Sequence, residues 1–306
     1  GKFPERKKPI SRRPKLTDLN SAINYNQIYE QLITLSLCIY TPSNYIFPSK
    51  VQKYIDLTHN KGDNLTQTGR EEGIRRLMSI NLLKRLESSV NSFQLTLQRI
   101  KAFIDSTIDA INRFEKYGNT DIDMYEANDA EWDMDDGNTE YFTVGKKVKI
   151  ELADMDYKTW RTELMADAET LELLTLMVAD ITPEHDSKLR ELLKLVSEKI
   201  ERPINSGNKK VLIFSAFSDT AEYLYEHVST YIKKKYGLDT AVITGAIDGK
   251  TTIKGFKATL NNVLTCFSPV SKGREVLMPG SNTEIDVLIA TDCISEGQNL
   301  QDCDYL

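Results

Sequence analysis

The sequence predicts an α + α/β chain, a long-helix region followed by a parallel α/β unit, on three observations. Between residues 24 and 200 apolar side chains recur every three or four positions, which is the helical period. After Pro203 short apolar runs take over, VLIFSAF at 211–217, AVITG at 241–245 and IDVLIA at 285–290, each bounded by polar or glycine-containing turns. Helical patterns separate these runs, and such alternation builds a parallel sheet through right-handed crossovers.

The first sixteen residues hold seven basic side chains (Lys2, Arg6, Lys7, Lys8, Arg12, Arg13, Lys15) against Glu5, with prolines at 4, 9 and 14 that block regular helix. Residues 1–23 therefore read as an extended basic arm, either a phosphate contact or a solvated lead-in. From Asn24 to Tyr40, Ile28, Leu32, Leu35 and Ile39 keep helical spacing, and Thr41-Pro42 supplies a stop. A single long helix is expected from Arg70 to Lys116 on Leu83, Leu86, Val90, Phe93, Leu97, Ile100, Ile104, Ile108 and Ile111. It would reach about 70 Å at 1.5 Å per residue, a strut or half a hairpin. Gly118 to Gly145 carries nine acids and no Lys or Arg, which favours a solvated linker over a cation loop, since D-x-[DN]-x-[DN]-G is not matched. Helix resumes at Asp156, a good N-cap, through Trp160, Leu164, Ala168 and Leu171 to Met177. HDSKLRELLKLVSEKI follows at 185–200. In the α/β unit, a helix from Asp219 to Lys235 starts at Ser218 or Asp219 and ends at Gly237, and another is expected over Lys254 to Leu264, with a loop through Pro279.

Composition narrows the function classes. No apolar run approaches the ~18 residues that span a bilayer, so no membrane partner is expected, and the cysteine usage fits a reducing, cytoplasmic location. Cysteines at 38, 266, 293 and 303 lack C-x-x-C spacing and histidines at 59, 185 and 227 do not cluster, so neither a zinc site nor a disulfide framework is expected. The net charge of −6 excludes a uniformly basic nucleic-acid binder but not a local basic face.

The stretch EIDVLIATDCISEGQNLQDC, from Glu284 to Cys303, carries the chemistry. A buried strand delivers Thr291, Asp292, Ser295, Glu296, Gly297, Gln298 and Asn299 to its carboxyl end, where open α/β sheets bind ligands. GAIDGKT at 245–251 also follows a strand, but a Walker A loop needs four residues between its glycines and here there are three. A P-loop NTPase using Gly245 to Thr251, with Asp292 as magnesium carboxylate, is therefore kept only as an alternative.

Taken together, VLIFSAF, Thr244-Gly245 and ATDCISEGQNLQ resemble motif IV, a Thr-Gly turn and motif V of the second RecA-like lobe of superfamily-two helicases and translocases, in their Swi/Snf-like bacterial branch. HDSKLRELLKLV resembles the helix that leads into this lobe, and LLKRLESSVNSF at 82–93 resembles a helical stretch between the lobes. On this resemblance residues 24–182 are a helical inter-lobe region and 183–306 a truncated, partial helicase C-terminal RecA-like domain that leaves an apolar sheet edge open. It implies nucleic-acid contacts at Ser215, Phe217, Thr244, Gly245 and Thr291, and nucleotide contacts at Gly297, Gln298 and Asn299. It also implies ATP and Mg as cofactors of the whole enzyme, none of them tightly held by this piece, double-stranded DNA as the track, and an N-terminal RecA-like lobe as partner. Neither a Walker A lysine, a DExx pair nor an arginine finger is present in the chain, so the piece by itself is expected to be inactive, with no catalytic residue. A different class stays open: a non-catalytic helical interaction module working through its long helices and acidic loop.

Overall fold

Helix α1 (Tyr25–Leu32) begins at a reciprocal cap: Asn24 Oδ1 accepts from Gln27 N–H at 3.1 Å while Gln27 Oε1 accepts from Asn24 N–H at 3.0 Å. The helix expected to reach Tyr40 stops at Leu32. Beyond it the buried carboxylate of Asp167 accepts from the N–H of Ser36 (2.8 Å) and of Cys38 (3.1 Å) and from the Ser36 hydroxyl (2.9 Å). Leu37 is thereby held at φ 51°, which no continuing helix allows, and 3₁₀ turns follow at Cys38–Tyr40 and Pro42–Tyr45. The computed structural model describes residues 7–19, 23–58, 67–118, 121–122, 150–245, 249–294 and 298–306. The acidic stretch expected to be a linker therefore lies almost wholly outside the described residues.

After α2 (Val51–Thr58), the single helix expected over 70–116 is two: α3 (Gln67–Ser88) and α4 (Val90–Tyr117). Ser89 between them is extended (φ −156°, ψ 150°). Its hydroxyl accepts from Ser92 N–H at 3.0 Å and lies 2.9 Å from the Thr220 hydroxyl, which Ser88 Oγ also meets at 2.8 Å. Short polar side chains compete with the helical ladder, and two in a row beside a hydroxyl partner break it. Strands β1 (Asp121–Ile122) and β2 (Ile150–Glu151) form an antiparallel pair, and α5 (Tyr157–Val178) starts at Asp156 as expected. α4 and α5 face each other with Phe93, Leu97, Ile100, Ile104 and Ile111 on one side and Trp160, Leu164, Leu171 and Leu174 on the other, all fully buried. Each such side chain contributes about 1.5–3 kcal/mol relative to exposure. This is the helical core.

The α/β unit runs α6 (Ser187–Glu201), β3 (Val211–Phe214), α7 (Ser218–Tyr236), β4 (Thr240–Ile243), β5 (Lys250–Thr251), α8 (Leu260–Phe267), α9 (Arg274–Leu277) and β6 (Val287–Ala290). The sheet order is β3-β6-β4-β5, with β3, β6 and β4 parallel and the short β5 antiparallel to β4. A small, mostly parallel open sheet thus follows the helical region. Side chains alternate across it: Val211, Ile213, Val242, Val287 and Ile289 pack under α6 and α7, while Leu212, Ala241, Ile243, Leu288 and Ala290 pack under α8. Both faces are covered, which is why the strands read as continuous apolar runs. α8 forms later than expected, from Leu260 rather than Lys254, because Thr259 caps it at Asn262 N–H (3.3 Å). α7 begins at Ser218 with Phe217 at the cap position, so neither Ser218 nor Asp219 is the cap. β3 is an edge strand, and its Leu212 N–H donates outward to the Tyr305 carbonyl at 3.0 Å. The last residues are pinned by Lys199, whose fully buried ammonium donates to Asp304 at 2.5 Å and to the Asn208 carbonyl at 2.9 Å.

Candidate functional site

The three parallel strands end in register. Phe214 lies opposite Ala290, and Ala290 opposite Ile243, so the residues that follow, Ser215, Thr291 and Thr244, stand in one row across the carboxyl edge of the sheet. Backbone bonds fix the row, Ser215 N–H to the Ala290 carbonyl at 3.0 Å and Thr291 N–H to the Ile243 carbonyl at 3.2 Å. Neighbouring strands lie about 4.8 Å apart, so the hydroxyl-bearing positions repeat at roughly that interval.

Exposure separates the residues chosen from sequence. Gly245, Gln298 and Asn299 are exposed and Ser215 is half-buried, whereas Thr244 (6%) and Thr291 (0%) lie below the surface. Ser215 Oγ closes a local turn, accepting from Phe217 N–H at 3.3 Å and meeting the Phe217 carbonyl at 3.2 Å. Phe217 is buried at 3%, and the Arg85 guanidinium covers its ring 4.6 Å from the centroid. Phe217 therefore packs at the junction with the helical region and presents little surface at the sheet edge. Gly297 lies outside the described residues. Gln298 Oε1 accepts from Lys272 Nζ at 2.7 Å, which brings a cation to the expected nucleotide turn.

Two features beside the row were not singled out from sequence. The first is a cluster at the start of α7, where Asp219 accepts from Arg85 Nη1 at 2.8 Å and from Arg99 at 2.6 and 3.0 Å. Arg85 is only 1% exposed and is held further by Asn81 Oδ1 and Ser92 Oγ, each at 3.2 Å. A signal existed: Arg85 falls on the apolar stripe between Leu82, Leu86 and Phe93, and a charge there requires a buried partner. The second is Asp302, which accepts from the N–H of Val270 (2.7 Å) and Ser271 (2.9 Å) and from the Ser271 hydroxyl. Burial alone would push Asp302 up, but the Ser271 hydroxyl and these two N–H groups outweigh it and hold its carboxyl below the usual range. The 268–272 loop that carries Lys272 is thereby tied to the end of the motif.

Topology argues against the P-loop alternative. A Walker loop runs from strand to helix, but Lys250 and Thr251 form β5, pairing with Val242 and Ala241. Lys250 Nζ meets Glu222 at 2.9 Å, and a Cβ on Gly249 would sit 2.2 Å from the Ala258 carbonyl oxygen. Gly249 is therefore a packing glycine. Between α4 and α7, a groove of about 600 Å³ is lined by Arg99, Asp219, Glu222, Tyr223, Tyr225 and Lys250 among others. Four of its five charged side chains are paired, Arg99 with Asp219 and Lys250 with Glu222, and Glu226 is the fifth.

Among the described residues no group of three or more His, Cys, Asp or Glu side chains could hold a metal ion, and no helix is long and apolar enough to cross a membrane. Comparison with protein-family models, with curated proteins and with solved structures gives no match to this chain.

Proposed function

We propose that the chain is the inter-lobe helical region and the first half of the C-terminal RecA-like lobe of an ATP-dependent DNA translocase of the Swi/Snf-like kind. The observation that carries this reading is the in-register row of Ser215, Thr291 and Thr244 at the carboxyl edge of three parallel strands, next to the exposed Gly245. Of these, the half-buried Ser215 and the exposed Gly245 are the members within reach of a sugar-phosphate backbone, while Thr291 and Thr244 are buried. In the whole enzyme Gln298 and Asn299 would face ATP and its Mg, held mainly by the other lobe, and the 284–303 stretch would couple that nucleotide to the track. Its role is coupling, and the catalytic groups come from elsewhere.

The test is duplex binding by this chain, followed by fluorescence anisotropy from 50 to 200 mM salt. Gly245→Glu places a carboxylate on the exposed edge and is expected to weaken binding about ten-fold, while Ser79→Glu on exposed α3 changes it less than two-fold. Equal affinity for the two variants would remove the sheet edge from the track. A second reading, a protein-interaction module, is favoured by Met165, Leu173 and Leu176, which α5 exposes at 50%, 45% and 62% on the face opposite its core. Absence of duplex binding at 50 mM salt would select it.

A further inference from the structure

The basic arm is a placed element. Thr17 bridges Asp186, its hydroxyl donates to the His185 carbonyl at 2.9 Å, and Arg12 Nη1 donates to Glu191 at 2.8 Å, so the strap lies along the first turns of α6. Leu16 is its buried anchor, at 4%, while Lys7, Lys8, Arg12, Arg13 and Lys15 are exposed and Ile10 is 81% exposed. Pro9 and Pro14 keep it extended.

What it lies on is also basic. Arg190 and Lys194 on α6 are exposed, and with Lys235 of α7 they line a groove of about 380 Å³ with Ser197 and Tyr231 at its base. Four acids face these cations, and three are already engaged: Asp18 with Arg190, Glu191 with Arg12, and Glu201 with Lys235, leaving Glu198. In a chain of net charge −6, the strap thus carries five exposed cations (Lys7, Lys8, Arg12, Arg13, Lys15) and joins, through Arg12–Glu191 and Asp18–Arg190, the helix that brings Arg190 and Lys194 to a groove shared with Lys235. The contacts that seat the strap run through Arg12, Leu16, Thr17 and Asp18, and none of them uses Lys7, Lys8, Arg13 or Lys15, whose like charges repel one another. A polyanion relieves that repulsion.

We infer that the strap and the α6–α7 groove form a second phosphate-backbone surface, which takes duplex nucleic acid independently of the sheet edge. From Lys7 to Lys15 an extended chain reaches about 27 Å, most of one turn of B-form duplex, so the strap follows a backbone and reads no sequence. The choice of duplex DNA as polyanion rests on the translocase reading; the cationic surface itself does not.

The experiment replaces Lys7, Lys8, Arg13 and Lys15 together by Ala, leaving the Arg12–Glu191 contact in place, and measures anisotropy of a 20-base-pair duplex over 50 to 200 mM salt. Because four cations no longer meet phosphate, the slope of log K against log salt is expected to fall by about 3 to 4. Thermal midpoint serves as the fold control, and Lys194→Ala, outside the strap, should lower the slope by about 1. An unchanged slope in both variants overturns the inference. Failures are distinguishable: a reduced slope in the strap variant with no effect of Gly245→Glu keeps this surface and removes the sheet edge, while the reverse keeps the edge and removes this surface. Equal affinity for duplex and for poly-glutamate overturns the assignment of the partner, and no binding of duplex by the unmodified chain overturns both.

Discussion

Arg85, 1% exposed within the helical region, donates to Asp219 at 2.8 Å across the junction with the α/β unit. Arg99 reaches the same carboxylate but is 27% exposed, so the two arginines depend on it unequally. Removing one partner of a buried pair leaves an uncompensated charge, whereas a half-exposed arginine rehydrates. Asp219→Ala should therefore cost about 3 kcal/mol and Arg99→Ala about 1 kcal/mol in urea unfolding. Equal costs would show that Arg85 is not the residue at stake.

Ser89 interrupts the α3–α4 rhythm by capping Ser92 N–H at 3.0 Å. Thr220 keeps Ser88 as a partner at 2.8 Å when Ser89 is removed, so the loss is mainly the cap. Ser89→Ala is expected to destabilise by about 1 kcal/mol, against almost nothing for Ser79→Ala on the exposed face of α3. Chemical denaturation of the two variants side by side decides it.

Acid should release Asp154. The Lys53 ammonium, at 2.8 Å, acts most strongly against the penalty of burial and is joined by the Tyr54 hydroxyl and Lys50; together they hold its carboxyl down to about 2. The folded value lies below an unfolded one of about 3.9, so the stability it contributes is present in full above that value and is lost as pH falls toward 2. Asp154→Asn should cost about 1–2 kcal/mol at neutral pH, after allowance for the half-exposed lysines, and progressively less below pH 4. Parallel urea titrations at pH 7 and pH 3 measure the difference, and a constant gap would contradict the assignment.

Cys38 is buried, and burial followed by the neighbouring Asp167 charge pushes its thiol up to about 12, so it carries almost no thiolate at neutral pH. Asp167 also holds the 36–38 segment through its three hydrogen bonds. Asp167→Ala should thus destabilise by about 2–3 kcal/mol and raise iodoacetamide labelling of Cys38 at least ten-fold, as read by peptide mapping. A destabilised variant whose Cys38 stays unlabelled would detach the thiol from that segment.

How much of this could be read from the chain depended on whether the cause was local. The cap at Asp156, the Gly237 stop (φ 70°) and the three apolar strands are local or periodic signals, and each appears where the residues put it. The short α1 was illegible because its cause, Asp167, lies more than a hundred residues away, and the split at Ser89 combines a local cap on Ser92 with an equally distant hydroxyl partner, Thr220. At the strand ends the hydroxyl row was legible as a set. The burial of Phe217 under Arg85 was not, since it depends on how the helical region seats against α7. Antiparallel β5 escaped notice because two residues carry no periodicity.

Lys250 offers the sharpest test of what this sheet edge is. As part of GAIDGKT it would grip phosphates; as part of β5 it lies antiparallel to β4 with its ammonium 2.9 Å from Glu222, where side-chain exposures of 50% and 39% make the pair worth little. Gly249 in the same stretch has no room for a Cβ against the Ala258 carbonyl. The two readings assign opposite outcomes to the two residues. If the stretch is a hairpin, Lys250→Ala leaves stability and any ATP affinity within two-fold of the unmodified chain, while Gly249→Ala costs about 2 kcal/mol through the clash. If it is a phosphate loop, Lys250→Ala lowers ATP affinity ten-fold or more. Isothermal calorimetry with Mg-ATP, beside denaturation of both variants, separates them, and the backbone pairing of Lys250 with Val242 argues for the hairpin.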